Sequence, residues 1–270
     1  MSPDPVGPMR NDLLQRIVAA TRATVETRRQ TRPLAQVERE AAGCAPDAAG
    51  FRAALTRQGG FNVIAECKRR SPVSGLLRPD YAAADLARSY EAAGAAAISV
   101  LTEPAFFDGA LADLTAVRSA VRLPLLRKDF VVDEYQLAEA RAAGADAVLL
   151  IVAVLMDRTA SFVRRAADAG LAAVVEVHGA AEIDVALDAG ADLIGVNSRN
   201  LRTMDVRPET CVDLAARLPA RVTAVAESGI RTGADLARLR AAGYSAFLVG
   251  ERLVRSPDPG GALRDLMACT

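Results

Sequence analysis

The sequence predicts an α/β protein in which eight parallel strands alternate with helices and close into a (β/α)8 TIM barrel, preceded by a helical extension. Three observations carry this. An alanine-rich helix end, a glycine and an apolar run recur together in EAAGAAAISV, RAAGADAVLL, ADAGLAAVVEV, LDAGADLIGV and RAAGYSAFLV. The phrase glycines, Gly94, Gly144, Gly170, Gly190 and Gly243, are spaced by 50, 26, 20 and 53 residues, so each long interval hides one further unit. The chain has 270 residues, 51% of them hydrophobic, and barrels of this kind routinely reach roughly 250 residues as one domain.

Each element has a local reason. Ahead of the first strand, Asn11-Asp12 suits the cap of an amphipathic segment through about Arg29, and a second segment starts near Asp47 and ends before Gly59-Gly60. Residues 1–60 are therefore expected to pack on the barrel as a helical extension, with the barrel over 61–270 and a single domain over 1–270. The first strand is Asn62–Ala65 and the second ends at Val100. Leu123–Leu126 fills the first long gap, and the next three strands end at Leu150, Val177 and Val196. Arg221–Ala226 fills the second gap, and the eighth strand ends at Val249. In each repeat the glycine suits the helix C′ position, where φ > 0 is needed, and the apolar run suits a strand covered on both faces. No GxGxxG fingerprint follows the first strand, which counts against a doubly wound dinucleotide-binding sheet.

Composition excludes several function classes. Lys+Arg and Asp+Glu both number 33, so nothing in the net charge favours nucleic acid or an anionic membrane as partner. Cys44, Cys67, Cys211 and Cys269 form no CxxC pair and read as reduced thiols in the cytoplasm. His178 is the only histidine, which excludes multi-histidine metal sites and leaves acid and base work to Lys and Glu. The N-terminal stretch MSPDPVGPMRND has no apolar signal region, and no apolar run reaches the roughly 18 residues of a membrane span.

In such barrels the chemistry stands where each strand turns polar at its C-terminal end. The first strand ends in Glu66 and Lys68, the third in Arg127, Lys128 and Asp129, and the fifth in Glu176 and His178. Asn197 and Arg199 follow the sixth, Glu227, Ser228 and Gly229 the seventh, and Gly250 and Glu251 the eighth. Residues two apart share a face, so Glu66 with Lys68, Glu176 with His178 and Asn197 with Arg199 are expected as pairs. A lysine ammonium beside carboxylates in a semi-enclosed mouth serves as a general acid, and a partly desolvated glutamate as a base, without metal. The Ser228–Gly229 and Gly250–Glu251 segments lie in the last two units, where such barrels commonly bind phosphate through backbone amides and a short helix N-terminus. Ser71 and Ser74 add hydroxyls beside them.

IAECKRRSP, SVLTEPAFF, PLLRKDFVVDEYQ, VVEVH, GVNSRNL and AESGI, read in this order and spacing, resemble the indole-3-glycerol phosphate synthase family of tryptophan biosynthesis. The resemblance runs from about Asn11 to the C-terminus. It implies closure of 1-(2-carboxyphenylamino)-1-deoxyribulose 5-phosphate with release of carbon dioxide and water, and no cofactor or metal. By the same resemblance Lys128 is the general acid, Lys68 contacts substrate and assists dehydration, and Glu176 transfers protons. Glu66 is a further acid/base or orienting group, Asn197 a polar contact, and Glu227 the group that orients Lys128. Arg199 would face the anthranilate carboxylate, and Ser71, Ser228, Gly229, Gly250 and Glu251 would hold phosphate, Glu251 through its amide. Phe107, Phe130 and Leu149 would line the ring pocket. His178 is read as structural or peripheral, because Lys and Glu already cover proton transfer, and Cys67 as core.

The chain departs from the family's frequent SPSKG at Ser71-Pro72-Val73-Ser74-Gly75 and from NNRNL at Asn197-Ser198-Arg199-Asn200-Leu201. Both departures bear on loop contacts and closure rather than on the proposed catalytic groups. Rival readings are another phosphate-binding barrel such as phosphoribosylanthranilate isomerase, a Schiff-base aldolase through Lys128, and a barrel that binds a phosphorylated metabolite without turnover. A phosphorylated small molecule is the expected partner, with other tryptophan-pathway enzymes as further candidates and the oligomeric state open.

Overall fold

The computed structural model describes residues 13–268. Ten strands and fourteen α-helices follow in chain order. The first part holds α1 (Leu13–Thr31), α2 (Leu34–Ala42), α3 (Ala48–Ala54), β1 (Asn62–Cys67), β2 (Arg70–Ser71), β3 (Gly75–Leu76), α4 (Ala83–Ala92), β4 (Ala97–Leu101) and α5 (Pro104–Phe107). The middle holds α6 (Leu111–Ala120), β5 (Leu125–Lys128), α7 (Tyr135–Ala142), β6 (Ala147–Ile151), α8 (Val152–Leu155), α9 (Thr159–Asp168), β7 (Ala172–Val177), α10 (Ala180–Asp188) and β8 (Leu193–Asn197). The last part holds α11 (Glu209–Ala215), β9 (Thr223–Glu227), α12 (Gly233–Ala241), β10 (Ala246–Val249), α13 (Glu251–Val254) and α14 (Pro259–Ala268).

β1 and β4–β10 form a closed, all-parallel barrel in which each strand pairs with its sequence neighbours and β1 closes on β10. The five phrase glycines all lie at positive φ, between 78° and 106°, as a left-handed helix stop requires. Two starts are later than expected. β5 begins at Leu125, because Pro124 has no N–H for a ladder and contributes only its carbonyl, to Ile98 N–H. β9 begins at Thr223, and β1 extends through Cys67.

Period-two alternation divides every strand between two cores. Val63, Ala65, Cys67, Leu125, Val175 and Val177 face the surrounding helices, while Ile64, Leu126, Leu149, Val174, Val225 and Leu248 fill the barrel interior. The same alternation carries Glu66, Lys128, Glu176, Asn197 and Glu227 onto the inner face, above that apolar filling. Arg127 goes outward. It is fully buried, binding Thr102 Oγ1, Asp129 Oδ2, the Gln136 carbonyl and Glu139. Its place at a strand end therefore does not put it in the mouth.

The extension wraps the barrel. At the mouth end, Leu14 and Ile17 of α1 join the inner core, Arg16 lies over the Phe106 ring, and Arg28 and Arg29 pair with Glu139 and Asp133. α2 packs on α7 through Val37, which clusters with Val25 and Tyr135. α3 sits at the opposite end, where Asp47 N–H donates to Asp146 and Arg52 pairs with Asp192, both just ahead of a strand start. From there Phe51 and Leu55, both fully buried, close the barrel floor. The sequence reading expected α1 and α3 but not α2, a nine-residue helix with only Val37 and Ala41 buried. Pro33 at its start was the available signal. The expected Asn11-Asp12 cap lies outside the described residues, as does Cys269; Cys44, Cys67 and Cys211 are free thiols. No described helix is long and apolar enough to cross a membrane.

Candidate active site

The mouth holds a cavity of about 630 Å³. Fourteen of the fifteen expected site residues line it: Glu66, Lys68, Ser71, Phe107, Lys128, Phe130, Leu149, Glu176, Asn197, Arg199, Ser228, Gly229, Gly250 and Glu251. Glu227, the fifteenth, is fully buried behind Lys128. Strand alternation explains the convergence: Glu66, Lys128, Glu176, Asn197 and Glu227 each face inward as the last or next-to-last residue of their strands, where the apolar filling ends.

Lys128 Nζ is 2.6 Å from Glu227 Oε2 and 3.6 Å from Glu176 Oε2, and Lys68 Nζ is 2.7 Å from Glu66 Oε1. Burial opposes the Lys128 charge, but Glu227, Glu176 and Glu66 override it and hold the ammonium protonated well past its ordinary range. The two buried glutamates beside it are driven apart. Burial and the nearby Glu176 charge push Glu227 up to about 7 against the pull of Lys128, while Lys128, His178 and Asn197 outweigh burial and hold Glu176 down at about 2. Glu176 is thus a carboxylate at neutral pH.

Two glycines make room for these carboxylates. A Cβ on Gly195 would collide with Glu227 Oε1, and one on Gly250 with Glu66 Oε1. Gly250 has φ −124°, so the missing side chain, rather than a left-handed turn, explains the glycine. Ser228 and Gly229 do turn left-handed, at φ 65° and 77°, a conformation that costs a serine roughly 1–3 kcal/mol. The N-terminus of α12 is closed by its own Thr232–Asp235 capping box, whereas α13 has no side-chain cap and begins at the cavity wall with Gly250 and Glu251.

The opposite wall is apolar. Phe107 and Phe130 stand with ring centroids 6.1 Å apart beside Leu149. Arg199 reaches the cavity with its Nη1 donating to the Met204 carbonyl at 2.9 Å and its backbone N–H donating to Asn197 Oδ1 at 2.9 Å. The Glu251 carboxylate accepts from Ser74 Oγ at 2.7 Å and pairs with Arg255 at 3.2 Å. Partial burial opposes its charge, but Ser74, Lys68, Arg255 and Arg199 hold it below the usual carboxylate range. Its side chain is therefore engaged within the protein.

The sequence reading missed Arg231 and Arg252, two further cations on the wall by the glycine loops, and the Leu201–Met204–Val206 flank beside Arg199. The arginines directly follow AESGI and VGE, so their position in the last two units was the signal. Ser198, at one family departure, turns away from the cavity to Cys211, Oγ to Sγ 3.2 Å. His178 stands directly behind Glu176, with Nε2 3.2 Å from its Oε1. Among the described residues, no cluster of three or more His, Cys, Asp or Glu side chains is disposed to hold a metal ion.

A family model described as indole-3-glycerol phosphate synthase matches residues 14–266. Proteins named indole-3-glycerol phosphate synthase from Aromatoleum aromaticum and Laribacter hongkongensis are 49% and 48% identical to this chain, over 95% and 96% of it and 99% and 100% of their own lengths. One from Azospirillum brasilense is 47% identical over 96% of this chain and all of its own. A thiamine phosphate pyrophosphorylase from Pyrococcus furiosus shares the fold alone, with a TM-score of 0.59 at 18% identity, covering 76% of this chain and 93% of that one. On the family match and these near-full-length identities, the chain belongs to the indole-3-glycerol phosphate synthase family.

Proposed function

We propose that this protein is a carboxy-lyase of tryptophan biosynthesis that converts 1-(2-carboxyphenylamino)-1-deoxyribulose 5-phosphate to indole-3-glycerol phosphate, carbon dioxide and water. The observation that carries the chemistry is one lysine, Lys128, set among three glutamates between an apolar wall and an anion-receptive rim. Phosphate takes the Ser228–Gly229 and Gly250–Glu251 side, where the uncapped start of α13 offers free N–H groups and Ser71 a hydroxyl. The anthranilate ring lies against Phe107, Phe130 and Leu149, and Arg199 turns its guanidinium to the ring carboxylate.

Lys128 protonates the ketone oxygen as the carboxyl-bearing ring carbon attacks the carbonyl carbon, forming the new carbon–carbon bond. Loss of carbon dioxide then leaves its electron pair to restore the ring. Lys68 assists departure of the hydroxyl as water, and Glu176, held as carboxylate, accepts the proton released when the double bond forms. Glu227 keeps Lys128 aimed, Glu66 keeps Lys68 aimed, and Asn197 braces Glu176.

Incubation of the protein with this substrate, without added metal or cofactor, should yield equimolar carbon dioxide and an indole chromophore. The chain has no tryptophan to obscure the indole fluorescence. Isomerised substrate without carbon dioxide would favour the isomerase reading, and binding without product the non-catalytic one. Borohydride trapping of a Lys128 adduct would favour the aldolase. The same reading makes the cytoplasm the expected compartment and other enzymes of tryptophan synthesis the partners to test.

A further inference from the structure

His178 stands one residue beyond β7 and, by the two-residue repeat, on the face of Glu176. Both its ring nitrogens face carboxylates. Nε2 is 3.2 Å from Glu176 Oε1, and Nδ1 is 3.2 Å from Glu182 Oε2. Glu182 belongs to the first turn of α10 and also accepts the His178 backbone N–H at 2.8 Å, so a single carboxylate fixes the ring and its main chain. Nδ1 is hydrogen-bonded to Glu182, whereas Nε2 stands at ion-pair distance from Glu176 without hydrogen-bond alignment; a ring set between two carboxylates favours the imidazolium.

That cation fills a gap in the charge balance. Lys128 is shared by two fully buried carboxylates, closer to Glu227 than to Glu176. A buried carboxylate left with a fraction of one cation takes up a proton, and a protonated Glu176 cannot act as a base. We propose that His178, seated by Glu182, is a positioning residue for ring closure and dehydration: it keeps Glu176 ionised and turns Oε1 away, leaving Oε2 toward Lys128 and the substrate. The inference rests on the proposed function, in which Glu176 accepts a proton. The charged groups that bear on the ring are Glu176 from β7 and Glu182 from α10, with Lys128 of β5 and Glu227 of β9 beyond Glu176. Burial opposes the ring's charge, and the two flanking glutamates override it, raising its titration to about 10.

Because the chain has a single histidine, its imidazole resonance in untagged protein needs no assignment. NMR titration should show the ring protonated well past the ordinary midpoint near 6.5, and Glu182→Gln should lower the midpoint by about one unit or more. In steady-state assays His178→Ala should lower kcat by about tenfold or more with KM within about twofold. His178→Gln, which keeps a polar donor group beside Glu176, should recover part of the loss, and it carries the kinetic test if the alanine variant does not fold. A wild-type midpoint near 6.5 would overturn the inference, as would a loss seen only in KM. Product from wild type with unchanged kcat in the alanine and glutamine variants would overturn this inference alone. Absence of product from wild type would overturn the functional reading and this one with it.

Discussion

At Lys128, one ammonium answers three carboxylates, and its neighbours are shaped to keep it there. Gly195 is part of that shaping, because its missing side chain is the space that the Glu227 carboxylate occupies. Gly195→Ala should displace Glu227 from Lys128, lowering kcat by about tenfold or more and stability by about 1–3 kcal/mol. Kinetics and thermal unfolding check this, and wild-type kcat in that variant would show that Glu227 does not aim the lysine. Arg199, proposed above to face the ring carboxylate, should act in binding rather than turnover. Arg199→Ala should raise KM by about tenfold, the worth of about 1.5 kcal/mol for a charge-assisted bond, with kcat nearly unchanged. A defect confined to kcat would contradict the carboxylate contact. Much of this was legible in the sequence: strand ends and two-residue spacing bring Glu66, Lys68, Lys128, Glu176 and Asn197 to one mouth. The Gly195 notch was not, because it depends on the register between β8 and β9, where Asn197 stands opposite Glu227. Nor was the outward turn of Arg127, because strand phase is fixed only once the neighbouring apolar positions are assigned to the inner or the outer core.

At the scale of elements, the two ends of the barrel do different work. The strand ends at the mouth hold the proposed catalytic groups, while α3 seals the floor with Phe51 and Leu55. Phe51→Ala should cost about 3–5 kcal/mol, from lost burial and the cavity left behind, with kcat unchanged at temperatures where the variant is folded. Denaturant unfolding and activity on the same sample test this; a kcat loss in fully folded variant would mean that the floor communicates with the mouth. The repeat phrase made the barrel elements readable, since helix end, left-handed glycine and apolar strand are consecutive in sequence. α2 escaped because it is only nine residues long and its stability comes from the surface of α7, a partner about 100 residues distant.

For the whole molecule, the extension and barrel share one core: Leu14, Ile17, Phe51 and Leu55 pack in the same cluster as Ile64, Leu126 and Val225. We propose that the helical extension and the barrel form a single domain and unfold together. Calorimetry should show one transition, and two resolved transitions would indicate a separable extension. The eightfold order was readable because each unit repeats a local grammar, whereas the wrapping path of the extension is fixed by contacts such as Arg28–Glu139 and Asp47–Asp146, which no local pattern encodes. Ring closure at this barrel mouth with Lys128 as acid is the proposal on which the rest depends. Its most direct test compares wild type with Lys128→Ala on the carboxyphenylamino-deoxyribulose phosphate, following indole fluorescence and substrate binding together. Wild type should form indole, and the variant should turn over more slowly by about two orders of magnitude or more with binding largely retained. Equal turnover by both proteins would contradict it.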